Sequence, residues 1–288
     1  MKTVLLFGGS GLIGTRIQEL LSKKYSILAP THKMLDVTNY IDLKEYLERS
    51  TYDYVVYAAG LTNPDKAAQD KRLSTILNAF VPGFISDIVK KKDIPLCYFS
   101  TDAVFDGKNK DQPYREDDDV SPVNLYGETK LRGEHEVLTK SKRNCVLRLI
   151  SVFTADYPHK LDYARFVVQK LKQKQNVFGI SDQLVNPLYA DDAVFSLEKI
   201  IQQHVSGIYH IGSTNYMTNL DFTKEIANAF DLSTGLVQPM TLSEFNKSKD
   251  EPRGKYCWLD IRKFERDFGT GTLSTIQESI ERFHKNVT

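Results

Sequence analysis

The chain of 288 residues is poor in cysteine, has a single tryptophan and carries almost no net charge. Its three cysteines, Cys97, Cys145 and Cys257, are odd in number and widely spaced, which excludes a disulfide framework and a cysteine-based zinc site. Cys97 and Cys145 fall in apolar, strand-like runs and read as small buried hydrophobes of a reducing compartment. None of the six histidines has metal-ligand spacing and no N-terminal acidic cluster is present, so no metal is expected. With 38 basic against 37 acidic residues, no global field draws nucleic acid or an anionic membrane surface. The run Glu116-Asp117-Asp118-Asp119 reads as a solvated loop. No apolar run approaches the ~20 residues of a membrane span. Val4 to Phe7 is too short for a signal-peptide core, and glycines follow it at once. Internal repeats and low-complexity segments are also lacking. The expectation is a cytoplasmic protein.

With 41% hydrophobic residues the chain can build a large core. The first half alternates apolar strand-like runs with amphipathic ones. Strands are expected at Thr3–Phe7, Tyr25–Ala29, Tyr54–Ala58, Leu96–Ser100 and Cys145–Ile150. Helices are expected at Leu12–Lys23, Ile41–Arg49, about Leu73–Lys91 with a bend at Pro82-Gly83, and Tyr126–Leu138. Fully apolar strands joined through helices predict an α/β fold with a doubly wound parallel sheet, a Rossmann fold covered on both faces. After Ser151 the pattern loosens. Helices are expected at Lys160–Lys174, Asp191–Gln203, Thr218–Phe230 and Ser274–Phe283, with strands at Asn176–Gly179 and Gly207–Ile211. This divides the chain into a dinucleotide-binding domain, 1–152, and a smaller, discontinuous substrate domain, 153–288. The chain is expected to return to the first domain near 187–212.

The first strand ends in Gly8-Gly9-Ser10-Gly11-Leu12-Ile13-Gly14 and a helix opens there. Glycines at this spacing permit a tight turn and close backbone approach, and the helix N-terminus offers free N–H groups to a pyrophosphate. Gly8, Gly11, Leu12, Ile13 and Gly14 are therefore assigned to a dinucleotide. NAD sites carry an acidic residue at the end of the second strand, about 20 positions on. Here that stretch is Ala29-Pro30-Thr31-His32-Lys33, without a carboxylate. Thr31, His32 and Lys33 suit a 2′-phosphate, so NADP(H) is expected ahead of NAD(H). Asp36 and Val37 are placed at the adenine edge, with a helix N-cap as the alternative for Asp36. Ala58, Ala59 and Gly60 end the third strand, where small residues admit a cofactor.

Tyr126 and Lys130 are four residues apart on an expected helix and share a face. A phenol titrates near pH 10. A neighbouring ammonium lowers that value and can also bind a ribose. Thr101, at the end of the fourth strand, can hold a carbonyl oxygen. Thr101, Tyr126 and Lys130 form the candidate catalytic set, with Tyr126 and Lys130 also touching the cofactor.

These motifs resemble those of the extended short-chain dehydrogenase/reductases. The likeness is strongest to the dTDP-4-dehydrorhamnose reductase group and the related methionine adenosyltransferase β subunits. It is carried by Gly8 to Gly14, Ala58-Ala59-Gly60, Ser100-Thr101-Asp102-Ala103-Val104-Phe105-Asp106-Gly107, Tyr126-Gly127-Glu128-Thr129-Lys130, Leu147-Arg148 and Asn186-Pro187. The resemblance implies NADPH-dependent reduction of a 4-keto nucleotide sugar. It also implies substrate contacts at Asp102, Val104, Phe105, Asn186 and Arg253. The group has an aromatic residue where Ala103 stands, and a tryptophan where Ser151 stands. The related dehydratases carry an acid at the Ala103 position, so dehydration is not expected. A regulatory NADP-binding subunit and a sugar-nucleotide epimerase stay open as alternatives. A homodimer is compatible with every one of these readings.

Overall fold

A computed structural model describes residues 1–287. Strand β1 (Thr3–Phe7) leads to helix α1 (Leu12–Leu21), β2 (Ser26–Leu28), α2 (Tyr40–Arg49) and β3 (Tyr54–Tyr57). Two short helices, α3 (Pro64–Gln69) and α4 (Lys71–Thr75), precede a π-helical turn at Ile76–Phe80 and then α5 (Val81–Val89). Strand β4 (Leu96–Thr101), α6 (Leu125–Leu138) and β5 (Cys145–Leu149) complete the first half. The second half holds α7 (Tyr163–Lys172), β6 (Val177–Ile180), β7 (Leu184–Val185), α8 (Ala190–Gln203) and β8 (Gly207–Ile211). It continues through β9 (Met217–Thr218), α9 (Asn219–Ala229), β10 (Val237–Met240), α10 (Leu242–Lys247), β11 (Tyr256–Cys257), α11 (Arg262–Phe268) and α12 (Ile276–Val287).

The main sheet is six-stranded and wholly parallel, in the order β2-β1-β3-β4-β5-β8. Its strands are apolar on both faces because each face is roofed by helices. Val4, Leu6, Val56 and Leu147 pack with α1 and α8 on one side. Leu5, Val55, Tyr57 and Tyr98 pack with α2 and α5 on the other. The strand order reverses between β1 and β3, so the loops after these strands diverge and leave a crevice at their carboxyl ends. Strand β8 lies beside β5, so residues 207–211 belong to the main sheet. The remaining strands form two small sheets: β10-β6 packs on a third core built on Phe153, Val167, Phe222 and Phe283, and β11-β7-β9 brings Val185 and Cys257 to a fourth with Val104 and Phe105.

Three expectations change. The long helix runs from Lys71 to Lys92 and is long and apolar enough, by length and composition, to cross a membrane. Sequence reading saw no such run because Ser74, Asn78 and Ser86 interrupt it; here Val81, Ile85 and Val89 bury it in the core. Its irregularity lies at the π turn, one step before Pro82, because proline is tolerated at the first turn of the helix that follows. The acidic run is not wholly solvated: Glu116 turns inward and its carboxylate accepts the His210 N–H at 3.0 Å. The helices α10 and α11 were not anticipated.

Helix α6 packs unusually close to its neighbours. A Cβ on Gly133 would fall 2.1 Å from the Asn78 carbonyl oxygen and 2.5 Å from the Tyr98 hydroxyl. We expect Gly133→Ala to destabilise the protein by roughly 2 kcal/mol through overpacking, read as a lowered urea midpoint with an unchanged m-value.

Candidate active site

A cavity of about 1070 Å³ opens over the carboxyl ends of β1, β3, β4 and β5. Its floor is the glycine turn. Gly8 has φ +88°, and a Cβ there would lie 2.5 Å from the Ala59 nitrogen. A Cβ on Gly14 would lie 2.1 Å from the Gly8 carbonyl oxygen, so the turn closes only because side chains are lacking. Gly11 caps α1 without a side chain, and the first turn carries no acidic residue. Gly11, Leu12, Ile13 and Gly14 line the cavity with this bare helix end. The cradle fits a dinucleotide's diphosphate. Ala58, Ala59 and Gly60 line the adjoining wall. The Asn78 amide fixes that wall: its oxygen accepts the Leu61 N–H at 3.0 Å, and its nitrogen donates to the Leu61 carbonyl and to Thr129 Oγ1 at 3.1 and 3.0 Å.

Thr31, His32 and Lys33 follow β2, exposed and outside the cavity lining. Asp36 also lies outside it. Its carboxylate accepts the Thr38 N–H at 2.9 Å, while Asn39, not Asp36, caps α2. Val37 packs against the second core.

Thr101, Tyr126 and Lys130 all line the cavity. Strand β4 delivers Thr101 at its last position, and α6 brings Tyr126 and Lys130 to the same end of the sheet one turn apart. Asn124 caps that helix by accepting the Gly127 N–H at 2.9 Å. A Cβ on Gly127 would fall 2.1 Å from the Ala103 carbonyl oxygen, so glycine lets α6 start beside the end of β4. Thr101 Oγ1 donates to Asp102 Oδ1 at 2.9 Å and is the hydrogen-bonding neighbour of the Tyr126 phenol.

The electrostatics differ from the sequence expectation. Burial pushes the Tyr126 phenol up, helped by Asp102 and opposed only by the Thr101 hydrogen bond. Lys130 does not act on the phenol in this arrangement. Its buried ammonium donates to the Phe99 carbonyl and lies 4.0 Å above the Tyr98 ring. Burial lowers it to about 7, against a smaller upward pull from Glu134. Burial raises Asp102 to about 6, although Thr101 and Cys257 hydrogen-bond to it. The single periodicity of Tyr126 and Lys130 carried no signal for these surroundings.

Beneath the set lies a buried ion pair. Arg148 on β5 donates from Nε and a terminal nitrogen to the two Glu134 oxygens at 2.9 and 2.7 Å, and Ser100 Oγ donates to the same carboxylate. Arg148 also meets His210 Nε2 at 3.3 Å. Burial and the guanidinium lower His210 to about 3, so it is a neutral structural partner.

Of the expected substrate contacts, Asp102, Phe105 and Arg253 line the cavity. The structure does not bring Val104 or Asn186 there. Val104 is fully buried with Ile150 and Leu259. The Asn186 amide is spent on backbone, donating to the Ser213 and Leu259 carbonyls and accepting the Leu259 N–H. Sequence reading missed Asn124, Tyr157, Phe178, Phe245, Lys249 and Cys257, all of which line the cavity. Apart from Phe245, inside the short helix α10, they come from loops and short strands whose spacing carries no period. Ser151, which does line it, has φ +40°.

A family model described as the RmlD substrate binding domain matches residues 1–288. A dTDP-4-dehydrorhamnose reductase from Mycolicibacterium smegmatis is 28% identical over 91% of this chain and 79% of its own. The methionine adenosyltransferase 2 subunit beta of Xenopus laevis is 27% identical, over 92% of this chain and 82% of its own. A Bacillus anthracis dTDP-4-dehydrorhamnose reductase, solved in complex with NADP, superposes with a TM-score of 0.90 at 24% identity, covering 98% of each chain.

Two of the shifted groups, Lys130 and Asp102, give opposite pH dependences. Lys130 has a folded value near 7 against an ordinary 10.5, so between these the unfolded chain binds more protons and stability rises with pH. Asp102, raised to about 6, costs stability as pH rises through that value. The wild type is expected to gain stability relative to Lys130→Met between pH 7 and 10, measured by urea midpoints across that range.

Proposed function

This chain belongs to the RmlD substrate binding domain family, and on that premise we propose that it reduces the 4-keto group of a nucleotide-activated deoxysugar with NADPH. The observation that carries the reading is the convergence of Thr101, Tyr126 and Lys130 at one end of the glycine-floored cavity. NADPH, when bound, supplies the hydride. The Leu12 and Ile13 backbone at the start of α1 holds the diphosphate, with Gly8, Gly11 and Gly14 giving it room. Lys33, with Thr31 and His32, reaches the 2′-phosphate from the end of β2. Thr101 orients the substrate carbonyl through its hydroxyl. Tyr126 donates the proton that the carbonyl oxygen takes up, and its high pKa keeps it protonated until then. Lys130, near neutrality and beside the same cavity, anchors ribose hydroxyls.

The substrate domain, 153–288 apart from the stretch near 187–212 that returns to the main sheet, contributes the sugar-nucleotide wall. Asp102 and Phe105 flank the sugar. Ala103 has no carboxylate to remove water, which favours reduction over dehydration. A non-catalytic role as a subunit of another enzyme, the alternative reading, draws support from Ala103 and Ser151 at the sugar side and from the relative named a methionine adenosyltransferase subunit. The intact catalytic set favours the enzyme, since a scaffold has no use for it. Free Cys97, Cys145 and Cys257 fit a reducing cytoplasm.

NADPH oxidation is to be screened against nucleotide-linked 4-keto sugars. Tyr126→Phe is expected to lower turnover at least about 100-fold while NADP binding, followed by fluorescence, is retained; unchanged turnover rejects the mechanism. Lys33→Ala is expected to weaken NADP binding several-fold more than NAD binding, by roughly 1 kcal/mol.

A further inference from the structure

The segment Lys249–Gly254 joins α10 to β11 across the cavity mouth, and Lys249, Arg253 and Gly254 line the cavity. It is fastened to the opposite wall. The Arg253 guanidinium reaches Asp65 Oδ2 at 3.0 Å, and the Glu251 N–H donates to Asp65 Oδ1 at 3.2 Å. Two further bonds tie the strap to the start of α6. The Leu125 N–H donates to Glu251 Oε2 at 3.1 Å, and the Asn124 amide donates to the Pro252 carbonyl at 2.9 Å. These residues directly precede Tyr126.

Asp65 is a single carboxylate facing two cavity cations. Burial would raise it, yet Arg253 and, more weakly, Lys249 hold it below the ordinary carboxylate range. Its ion pair with Arg253 keeps roughly a fifth of each side chain exposed, 23% for Asp65 and 21% for Arg253, so another anion can reach the guanidinium. A phosphate oxygen and a carboxylate compete for the same planar donors.

We propose that Asp65 is a placeholder for the substrate's diphosphate: Arg253 exchanges the Asp65 carboxylate for a phosphate oxygen when the nucleotide sugar enters. The inference rests on the nucleotide-sugar reading above. The exchange releases only the Arg253 side chain from α3; the Glu251 N–H bond to Asp65, the Gln69 amide bond to Asp250 and the bonds to Asn124 and Leu125 remain, so the diphosphate docks on a strap still anchored to the helix that carries Tyr126. In this role Asp65 is a positioning residue that never touches the reacting atoms, and it sets the affinity for substrate by competing with it.

The test is calorimetric titration of the NADP-loaded full-length protein with thymidine, uridine, cytidine and guanosine diphosphates. Asp65→Asn keeps an acceptor for the Glu251 N–H but removes the charge. It is expected to bind the preferred diphosphate roughly 3- to 5-fold more tightly than wild type. Arg253→Gln is expected to bind it more weakly, and Asp65→Asn added to Arg253→Gln is expected to change nothing further. Unchanged or weaker binding by Asp65→Asn, or the same gain in the Arg253→Gln background, overturns the placeholder while leaving the reductase reading in place. A wild type that binds none of the four diphosphates overturns the nucleotide-sugar reading and the placeholder with it.

Discussion

Much of this architecture follows from how near helix α6 lies to strand β4 and to the π-helical turn. Glycines at 127 and 133 give the helix two faces without side chains. Through them it rests on the Ala103 carbonyl, the Asn78 carbonyl and the Tyr98 hydroxyl. An α6 held one methyl group further away would carry Tyr126 and Lys130 off the end of β4, where Thr101 waits. The same closeness lets Asn78 bond at once to Leu61, directly after the Ala58–Gly60 wall, and to Thr129 on α6. One contact plane therefore sets both the segment that follows the Ala58–Gly60 wall and the position of Tyr126.

That packing has an electrostatic consequence. The end of β4 is dry enough that an ammonium, a carboxyl and a phenol all move toward their neutral forms. The buried Arg148–Glu134 pair beneath them is weak ground for arguing stability, because desolvating two charges offsets most of their attraction. Its geometry is better read as fixing position. Glu134 shares a face with Lys130, and its Oε1, which also accepts Arg148 Nε, ties Ser100, the neighbour of Thr101, to the same frame. Stability is spent at this end of the sheet to keep three groups in register.

The sequence made the first half legible because β1, β3, β4 and β5 are continuous apolar runs, and because Gly8 to Gly14 and Tyr126 with Lys130 follow local spacing rules. Thr101 could be placed because it ends a recognisable strand. The misplacement of Asn186 has a different origin: an asparagine beside a proline looks the same in a sequence whether it faces a ligand or spends its amide on Leu259 and Ser213. Lys130 was expected beside the phenol because helical periodicity gives a face, but not the carbonyl of Phe99 that another strand presents to it. The partner of Arg253 is Asp65, nearly two hundred positions earlier, and no periodicity links them. The substrate side comes from turns and element ends, where residues meet only after the fold has formed.

The π turn at Ile76–Phe80 closes with the Val81 N–H bonded to the Ile76 carbonyl, one residue beyond α-helical reach. It holds a surplus residue, and with it an angular offset of about 100° between the two halves of the run. Upstream of the offset Ser74 faces Thr129; downstream Val81, Ile85 and Val89 face the sheet. Both halves are in phase with their surroundings only because of that surplus. The helix is thus locked in length as well as in composition: a lineage could exchange many of its side chains, yet the loss of one residue between 76 and 80 would turn either the Ser74–Thr129 contact with α6 or the hydrophobic core to the wrong side.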